Sequence, residues 1–459
     1  MTERRAVILF TRIPYPGHTK TRLMPYYTPV QCAELHSCFL RDIQRNLRGI
    51  DADLFIYYAE PGDPDNLVQI FGRQMDKPRG DWKYGKGRVV YRRQSGEDLG
   101  ERMYAAMEEV FREGYDHCVL TGTDLPDLTK GIFDDAFTRL ETHDAVLGPT
   151  RDGGYYLIGS NAPQHIFFED QVYGGSTVFE NTAAAILDHG LSLSLAEVLS
   201  DVDTRKDLIH RLDRRRKNPE APFSHTDRFI LQHVKISVIV PVCNEENMIR
   251  NIQKELQRTF ASCEVIFVDG KSTDGTLSRI DPEMMILNSE KGRARQMNLG
   301  AEEASGDILF FLHCDSKLPA HPQREIRHVY AEHLAGCFRI GFPTRRFLML
   351  TNSILSNRRA RNEGIMFGDQ GIFIDRRLFF KMGEFPDIPL MEDYQFSLNL
   401  KRHGISNGVA HEKIISSDRR YPRSTKGTLR LMKKMYDMRQ MYLHGADPGK
   451  LAKMYKDIR

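Results

Sequence analysis

No apolar run in this sequence approaches the roughly 20 residues that a bilayer-spanning helix needs. The opening MTERRAVILFTRIP combines positive charge with an apolar run too short for a signal peptide and broken by Arg and Pro, so it reads as a first strand. Cysteine is sparse: seven, odd in number and scattered, with no C-x-x-C pair. That excludes a zinc ribbon and a disulfide framework, and makes a reducing cytoplasm the expected location. An excess of one charge is missing too. A formal net charge of +3 over 459 residues gives nucleic-acid binding no global electrostatic support, and no nucleic-acid partner is expected. What is there, 41% hydrophobic and 28% charged residues, is the profile of a soluble globular chain too long for one ordinary domain.

Strand and helix patterns alternate, which predicts an α/β fold with mostly parallel sheets. AVILF (Ala6 to Phe10), DLFIYYA, HCVLTGTD and DAVLGPT read as strands. Between them GERMYAAMEEVFREG places Met103, Ala106, Met107 and Val110 on one helical stripe. The text then turns charged, gains two prolines and loses its period, which sets a first domain at 1–207 and a linker at 208–234. The pattern restarts for a second domain at 235–459: the strand KISVIVPV, the helix EENMIRNIQKELQRTF with Met248, Ile249, Ile252, Leu256 and Phe260 on one face, then the strands EVIFVDG and DILFFLH. The chain reads as two similar α/β units in tandem, alike in pattern rather than in residues.

Ligands of such sheets sit beyond the carboxyl ends of the strands. In the second half four successive strand ends carry polar groups: Glu245 in PVCNEE, Asp269 in VDGKSTDGT, Lys291 and Arg293 in KGRAR, and His313 with Asp315 in HCD. Asp269 can accept from a base or ribose, and Asp315 can offer an oxygen to a divalent ion shared with phosphates. Residues two apart on a strand face the same side, so His313 and Asp315 share a face while Cys314 points away. An imidazole there can ligate Mn2+ better than Mg2+, or, protonated, bond a phosphate oxygen. Glu392 and Asp393 in PLMEDYQFS offer a base for an acceptor hydroxyl, or are ordinary first-turn acids of a helix.

Together VIVPVCNEE, IFVDGKSTDGT, KGRARQMNLGA, FLHCDSKLP, FGDQGIFI and MEDYQFS resemble family 2 glycosyltransferases of the GT-A fold, in the branch called transferase 2 of a radical-SAM/selenodomain-associated pair. The resemblance spans roughly 236–420. It implies inverting transfer from a nucleotide sugar with Mg2+ or Mn2+ on the pyrophosphate. It implies Glu245 and Asp269 on the nucleoside, Asp315 on the metal and Asp393 as base. Gly368, Asp369 and Gln370 fall on the acceptor side, and Arg419 and Arg420 beside the leaving diphosphate. The acceptor itself is not implied.

In the first half TRIPYPGHTKTRL follows the first strand and carries Arg12, Lys20 and Arg22, cations able to cradle a phosphate chain. Its spacing is not that of a Walker A loop. Asp124 in LTGTDLP and Asp152 in RDGGYY stand at later strand ends, where paired carboxylates serve a metal-dependent phosphoryl or nucleotidyl transfer. The same RDGGYY also reads as a tight hairpin. RIPYPGHTKTRL, QSGEDLGERMYAAM, LTGTDLP, GPTRDGGYYLIG and SDVDTRKDL resemble the partner family, transferase 1 of that pair, over roughly 5–205. That family is similar in fold to molybdopterin- and phospholactate-guanylyltransferases. The resemblance implies Lys20 and Arg22 on phosphates, Asp124 and Asp152 on a metal, and Gln94, Gly100 and Arg102 near a nucleotide.

From Asp418 onward the chain is basic, with Leu429, Met432, Met435, Met438 and Tyr442 near helical spacing. This is an amphipathic helix packed on its domain or a contact with an anionic membrane surface. The expected function is bifunctional: a glycosyltransferase using a nucleotide sugar, joined to a nucleotidyltransferase-like unit that uses a nucleoside triphosphate or handles an activated donor. The alternative makes the first half a nucleotide-binding scaffold without turnover.

Overall fold

A computed structural model describes residues 3–72, 87–169, 171–218, 220–419 and 421–456. The chain divides into two units, Met1–Ile230 and Leu231–Arg459. In the first, a seven-stranded sheet is built from β1 (Arg5–Arg12), β2 (Asp53–Ala59), β3 (Val89–Arg93), β4 (His117–Gly122), β5 (Ala145–Pro149), β6 (Tyr155–Ser160) and β7 (Leu193–Leu195), in the order β3-β2-β1-β4-β6-β5-β7. In the second, β8 (Ile236–Val242), β9 (Glu264–Asp269), β10 (Met285–Asn288), β11 (Ile308–Phe311), β12 (Ala335–Gly341), β13 (Ile372–Asp375) and β14 (Asn407–Ile415) form the order β10-β9-β8-β11-β13-β12-β14. Shifted by seven, the two orders are the same. In each sheet one strand is reversed: β6 runs antiparallel to β4 and β5, and β13 to β11 and β12. The sheets are otherwise parallel, as the alternating pattern requires.

Central strands covered on both faces must be apolar throughout. Ala6, Val7, Ile8 and Leu9 are fully buried, as are Val238, Ile239 and Val240. The expected stripe of the helix Leu99–Arg112 is buried, and Asp98 caps it by accepting from Glu101 N at 2.8 Å. The second-half helix begins later than the sequence suggests, at Ile249, because Glu245 and Glu246 are held in the loop after β8.

The stretch 208–234 is not the irregular tether its composition suggests. Residues Arg205–Lys217 and His225–His233 are helices. Buried Arg211 donates to Asp227 Oδ1 at 3.0 Å and to Asp127, and buried Asp42 accepts from the N–H groups of His225 and Thr226 at 2.8 and 2.9 Å. Paired charges thus satisfy a helical segment whose sequence lacks an apolar period. The tail also departs from its expected stripe. In the helix Thr425–Leu443 the buried residues are Thr428, Leu431 and Met438, and Leu429 faces solvent.

The helix Arg293–Glu303 meets the second sheet through Gly300, where a Cβ would lie 2.5 Å from Ile239 Cγ2 and 3.0 Å from Val268 Cγ2. Gly300→Val is expected to lower stability by about 1–3 kcal/mol through overpacking. Helical Gly131 has only Thr129 Oγ1, at 3.7 Å, near its Cβ position, so Gly131→Ala is expected to add about 0.5–1 kcal/mol. Denaturant midpoints of the two variants move in opposite directions.

Candidate functional site

The loops after β8 and β9 are laced together before they reach any ligand. Asn244, at φ 56°, accepts from Thr273 N, Glu245 N donates to Thr276 Oγ1 at 2.8 Å, and Glu246 Oε2 accepts from Gly275 N at 3.1 Å. Beneath them buried Gln296 donates from Nε2 to Val242 O and Val268 O, each at 2.8 Å, closing the ends of both strands. Asp269 accepts from Ser272 N at 3.0 Å, while its Oδ1 is buried without a hydrogen-bond partner among the described residues, an open acceptor at the strand end.

β11 stops at Phe311, so His313 to Asp315 form a turn rather than the extended end expected, with Ser316 N donating to His313 O at 3.1 Å. The alternation still holds. His313 and Asp315 line an open cleft together with Asp369, Phe342 and Tyr455, while Cys314 is buried. Arg419 crosses to this point: its Nη2 is 3.1 Å from Asp315 Oδ2 and 3.9 Å from Glu245 Oε2. Arg420 lies outside the described residues. Lys291 is exposed in front of the helix that Arg293 begins.

The adjacent acids diverge as their positions on a helix turn require. Asp393 Oδ2 accepts from Gly368 N at 2.7 Å, and a Cβ on Gly368 would fall 2.7 Å from His313 Nε2 and 3.4 Å from Asp393 Oδ2. Asp393, Gly368 and His313 are therefore immediate neighbours. Glu392 is turned inward, 3% exposed, and bonded by Arg293 at 3.2 Å. Burial pushes its carboxyl up, and the charge of Asp393 adds to this while Arg293 opposes it. This corrects two expectations: Glu392 is a buried ion-pair partner rather than a base, and Arg293 is engaged with it rather than free for phosphate. Gln370 is also corrected. It is fully buried, accepting from Phe367 N and donating to Phe338 O, so of the segment 368–370 Asp369 is the side chain at the cleft.

In the first unit Lys20 is the hub. Its side chain is 4% exposed and its Nζ lies 2.7 Å from Asp124 Oδ1, 3.2 Å from Asp203 Oδ1 and 2.8 Å from Val202 O. Lys20 thus holds carboxylates together instead of projecting toward a phosphate. Arg12 and Arg22 are the exposed cations of that loop, Arg12 donating to His18 O and Arg22 to Asp203 at 3.1 Å. Asp152 sits in the turn between β5 and β6, accepting from Thr150 Oγ1 at 2.5 Å, so the hairpin reading and the rim position hold together. Gln94 donates to Thr11 O and Tyr57 O, and Arg102 to Gly96 O. Gly100 is packed where a Cβ would meet Phe168 O at 2.7 Å. Gln94 and Gly100 shape the backbone rather than face a nucleotide.

The sequence reading missed several residues. Asp201 and Asp203 belong to the acidic group, and their Asp-x-Asp spacing in SDVDT was the available signal. Buried His36 lies 3.2 Å from Thr11 Oγ1 and 3.1 Å from Arg12 O at the end of β1, and burial pushes it down to about 4. Gln296 carried no motif at all. Among the described residues no three His, Cys, Asp or Glu side chains are grouped to hold a metal ion.

Comparison with known proteins supplies the remaining findings. Residues 237–369 match the glycosyl transferase family 2 model, and residues 59–175 match one described as an uncharacterized protein conserved in bacteria. An undecaprenyl-phosphate 4-deoxy-4-formamido-L-arabinose transferase of Yersinia pestis is 25% identical over 158 residues, 30% of this chain and 47% of the relative, so the chain spans about half the length of the curated relatives it matches. A mannosyltransferase from Pyrobaculum calidifontis, solved with GDP-Man and Mn2+, is 17% identical with a TM-score of 0.35, covering 53% of this chain and 73% of that one. A crystal structure of a candidate nucleotide-diphospho-sugar transferase from Desulfovibrio desulfuricans G20 is 30% identical, covering 50% of this chain and 99% of that one, with a TM-score of 0.44. The second unit therefore carries a glycosyl transferase family 2 segment, and the first a segment of the uncharacterized bacterial family, each covering less than half of the chain.

Proposed function

We propose that the second unit is an inverting glycosyltransferase that uses a nucleotide-diphospho-sugar. The observation that carries this reading is the neighbourhood of Gly368: its N–H holds the Asp393 carboxylate at 2.7 Å, and it abuts His313 on the wall that also presents Asp315 and Asp369. The acceptor oxygen attacks the anomeric carbon from the face opposite the diphosphate. The new C–O bond forms as the bond to the diphosphate breaks, the diphosphate leaves with the electron pair, and Asp393 takes the acceptor's proton. A divalent cation, Mg2+ or Mn2+, shared between Asp315 and the diphosphate would offset charge on the leaving group. Arg419, already against Asp315, is positioned to add a fixed positive charge, and the open Asp269 acceptor suits a nucleoside hydroxyl or base N–H.

For the first unit we propose handling of an activated nucleotide by a nucleotidyl transfer, in which a phosphate oxygen attacks the α-phosphorus of a nucleoside triphosphate and pyrophosphate leaves. Exposed Arg12 and Arg22 supply cations for the phosphate chain, and the carboxylates gathered by Lys20 suit a metal shared with it. Pyrophosphate release from a panel of nucleoside triphosphates and sugar phosphates tests this. Tight nucleotide binding without any release would favour the scaffold alternative.

Asp393→Asn is expected to lower transfer, or slow donor hydrolysis, by about 10²–10⁴-fold while leaving nucleotide-sugar binding near the parent level. Asp315→Ala should lower both. Parent-level turnover in Asp393→Asn sinks the base assignment, and failure to bind any nucleotide sugar sinks the reading as a whole.

Asp201 gives a pH prediction. Burial first, then the charges of Asp203, Asp124 and Asp152, push its carboxyl up to about 7, with Lys20 opposing. A raised folded value means the protonated form stabilises the fold: the contribution is full below the ordinary value of 3.8 and lost as pH rises through about 7. Asp201→Asn should therefore melt above the parent at alkaline pH, with the gap closing as pH falls toward the ordinary carboxylate range. Thermal melts of both proteins across that range measure it.

A further inference from the structure

The helix Phe347–Glu363 faces the wrong way for a core element. Its buried side carries only Met349, Ser353 and Ala360, while Phe347 is 79% exposed, Ile354 66%, Leu355 53% and Leu350 48%. Phe347, Leu350, Ile354, Arg358 and Arg361 recur at i, i+3, i+7, i+11 and i+14, so one outward face is apolar for two turns and cationic beyond. The helix Thr425–Leu443 packs beside it and exposes Leu429, Tyr436 and Leu443. Arg346 Nη1 donates to Pro422 O at 2.7 Å and Asn352 Nδ2 to Tyr421 OH at 3.0 Å, which fixes the second helix against the start of the first. On the exposed positions of the two helices Arg358, Arg361, Lys426, Arg430 and Lys433 face only Glu363 and Asp437 as acids. The inner side of the second helix, through Leu431 and Met435, lines the cleft of Asp315 and Asp369.

We propose that this two-helix face docks on an anionic lipid bilayer. Apolar side chains ringed by Arg and Lys suit the boundary between phosphate headgroups and acyl chains, the cations meeting the lipid phosphates. No helix among the described residues is long and apolar enough to cross a membrane, so the contact is peripheral. A second copy of the chain fits less well, because a two-fold contact through this face would bury its exposed cations with only Glu363 and Asp437 on the face to pair them. Docked this way, the cleft opens beside the headgroup layer. The docking goes beyond the proposed transfer chemistry and is measured without it.

The full chain should float with vesicles of phosphatidylcholine and phosphatidylglycerol, stay behind with phosphatidylcholine alone, and be released as salt rises. Phe347→Glu with Ile354→Glu should weaken vesicle binding by about tenfold or more, with melting temperature and nucleotide-sugar binding unchanged. Should that pair disturb folding, Arg358→Gln with Arg361→Gln provides the second test, lowering binding to the anionic vesicles while the chain melts as the parent does. Absence of binding to anionic vesicles, or parent-level binding by either folded variant, overturns the proposal. So does a concentration-dependent dimer that the Glu pair abolishes in the absence of vesicle binding, which would assign the face to a second copy.

Discussion

One reversed strand in each sheet decides which residues can meet. Parallel strands all offer their carboxyl ends to the same rim. Because β6 and β13 run against both neighbours, they offer that rim their amino ends. A residue just before β13 therefore meets residues just after β11, and Asp369 and Asp315 line one cleft though they are distant in sequence. The first unit repeats the arrangement, with Asp152 before β6 and Asp124 after β4, both close enough to raise the affinity of Asp201 for its proton. The same strand order thus produces the same exchange of partners twice, from sequences that share little.

Carboxylates brought to one rim repel each other, and the units offset this from different places. In the first, Lys20 of the loop after β1 is buried against Asp124 and Asp203. In the second, Arg419, from beyond β14, reaches Asp315 and approaches Glu245. Under both rims a glutamine does the uncharged work: Gln94 bonds the carbonyls of Thr11 and Tyr57, and Gln296 those of Val242 and Val268. Each glutamine ties together carbonyls of two neighbouring strands, so the loops depart from a fixed base.

The strands, the tandem division and the stripe of the helix Leu99–Arg112 were legible because two-sided burial and helical period write directly into residue order. The rim acids were legible for a related reason: they follow or precede apolar runs at once. What could not be read was pairing between distant residues. Glu392 and Asp393 look alike in MEDYQFS, and only the approach of Arg293 to one and Gly368 to the other separates them. The helices of 205–233 were hidden because each buries only a short apolar pair, Leu208 with Leu212 and Phe229 with Ile230, which ion pairs and caps of Arg211, Asp127, Asp227 and Asp42 supplement. The helix Phe347–Glu363 has apolar residues in plenty, but sequence alone does not say that they point outward.

The cleft of the second unit has a wall supplied from far along the chain. His313, Asp315 and Asp369 are in place once the sheet has its central strands, but Leu431, Met435 and Tyr455 enclose them from helices that follow β14. A chain cut shortly after β14 would keep its core and lose both the enclosing wall and Arg419, so in this unit completeness of synthesis and competence of the cleft are tied together.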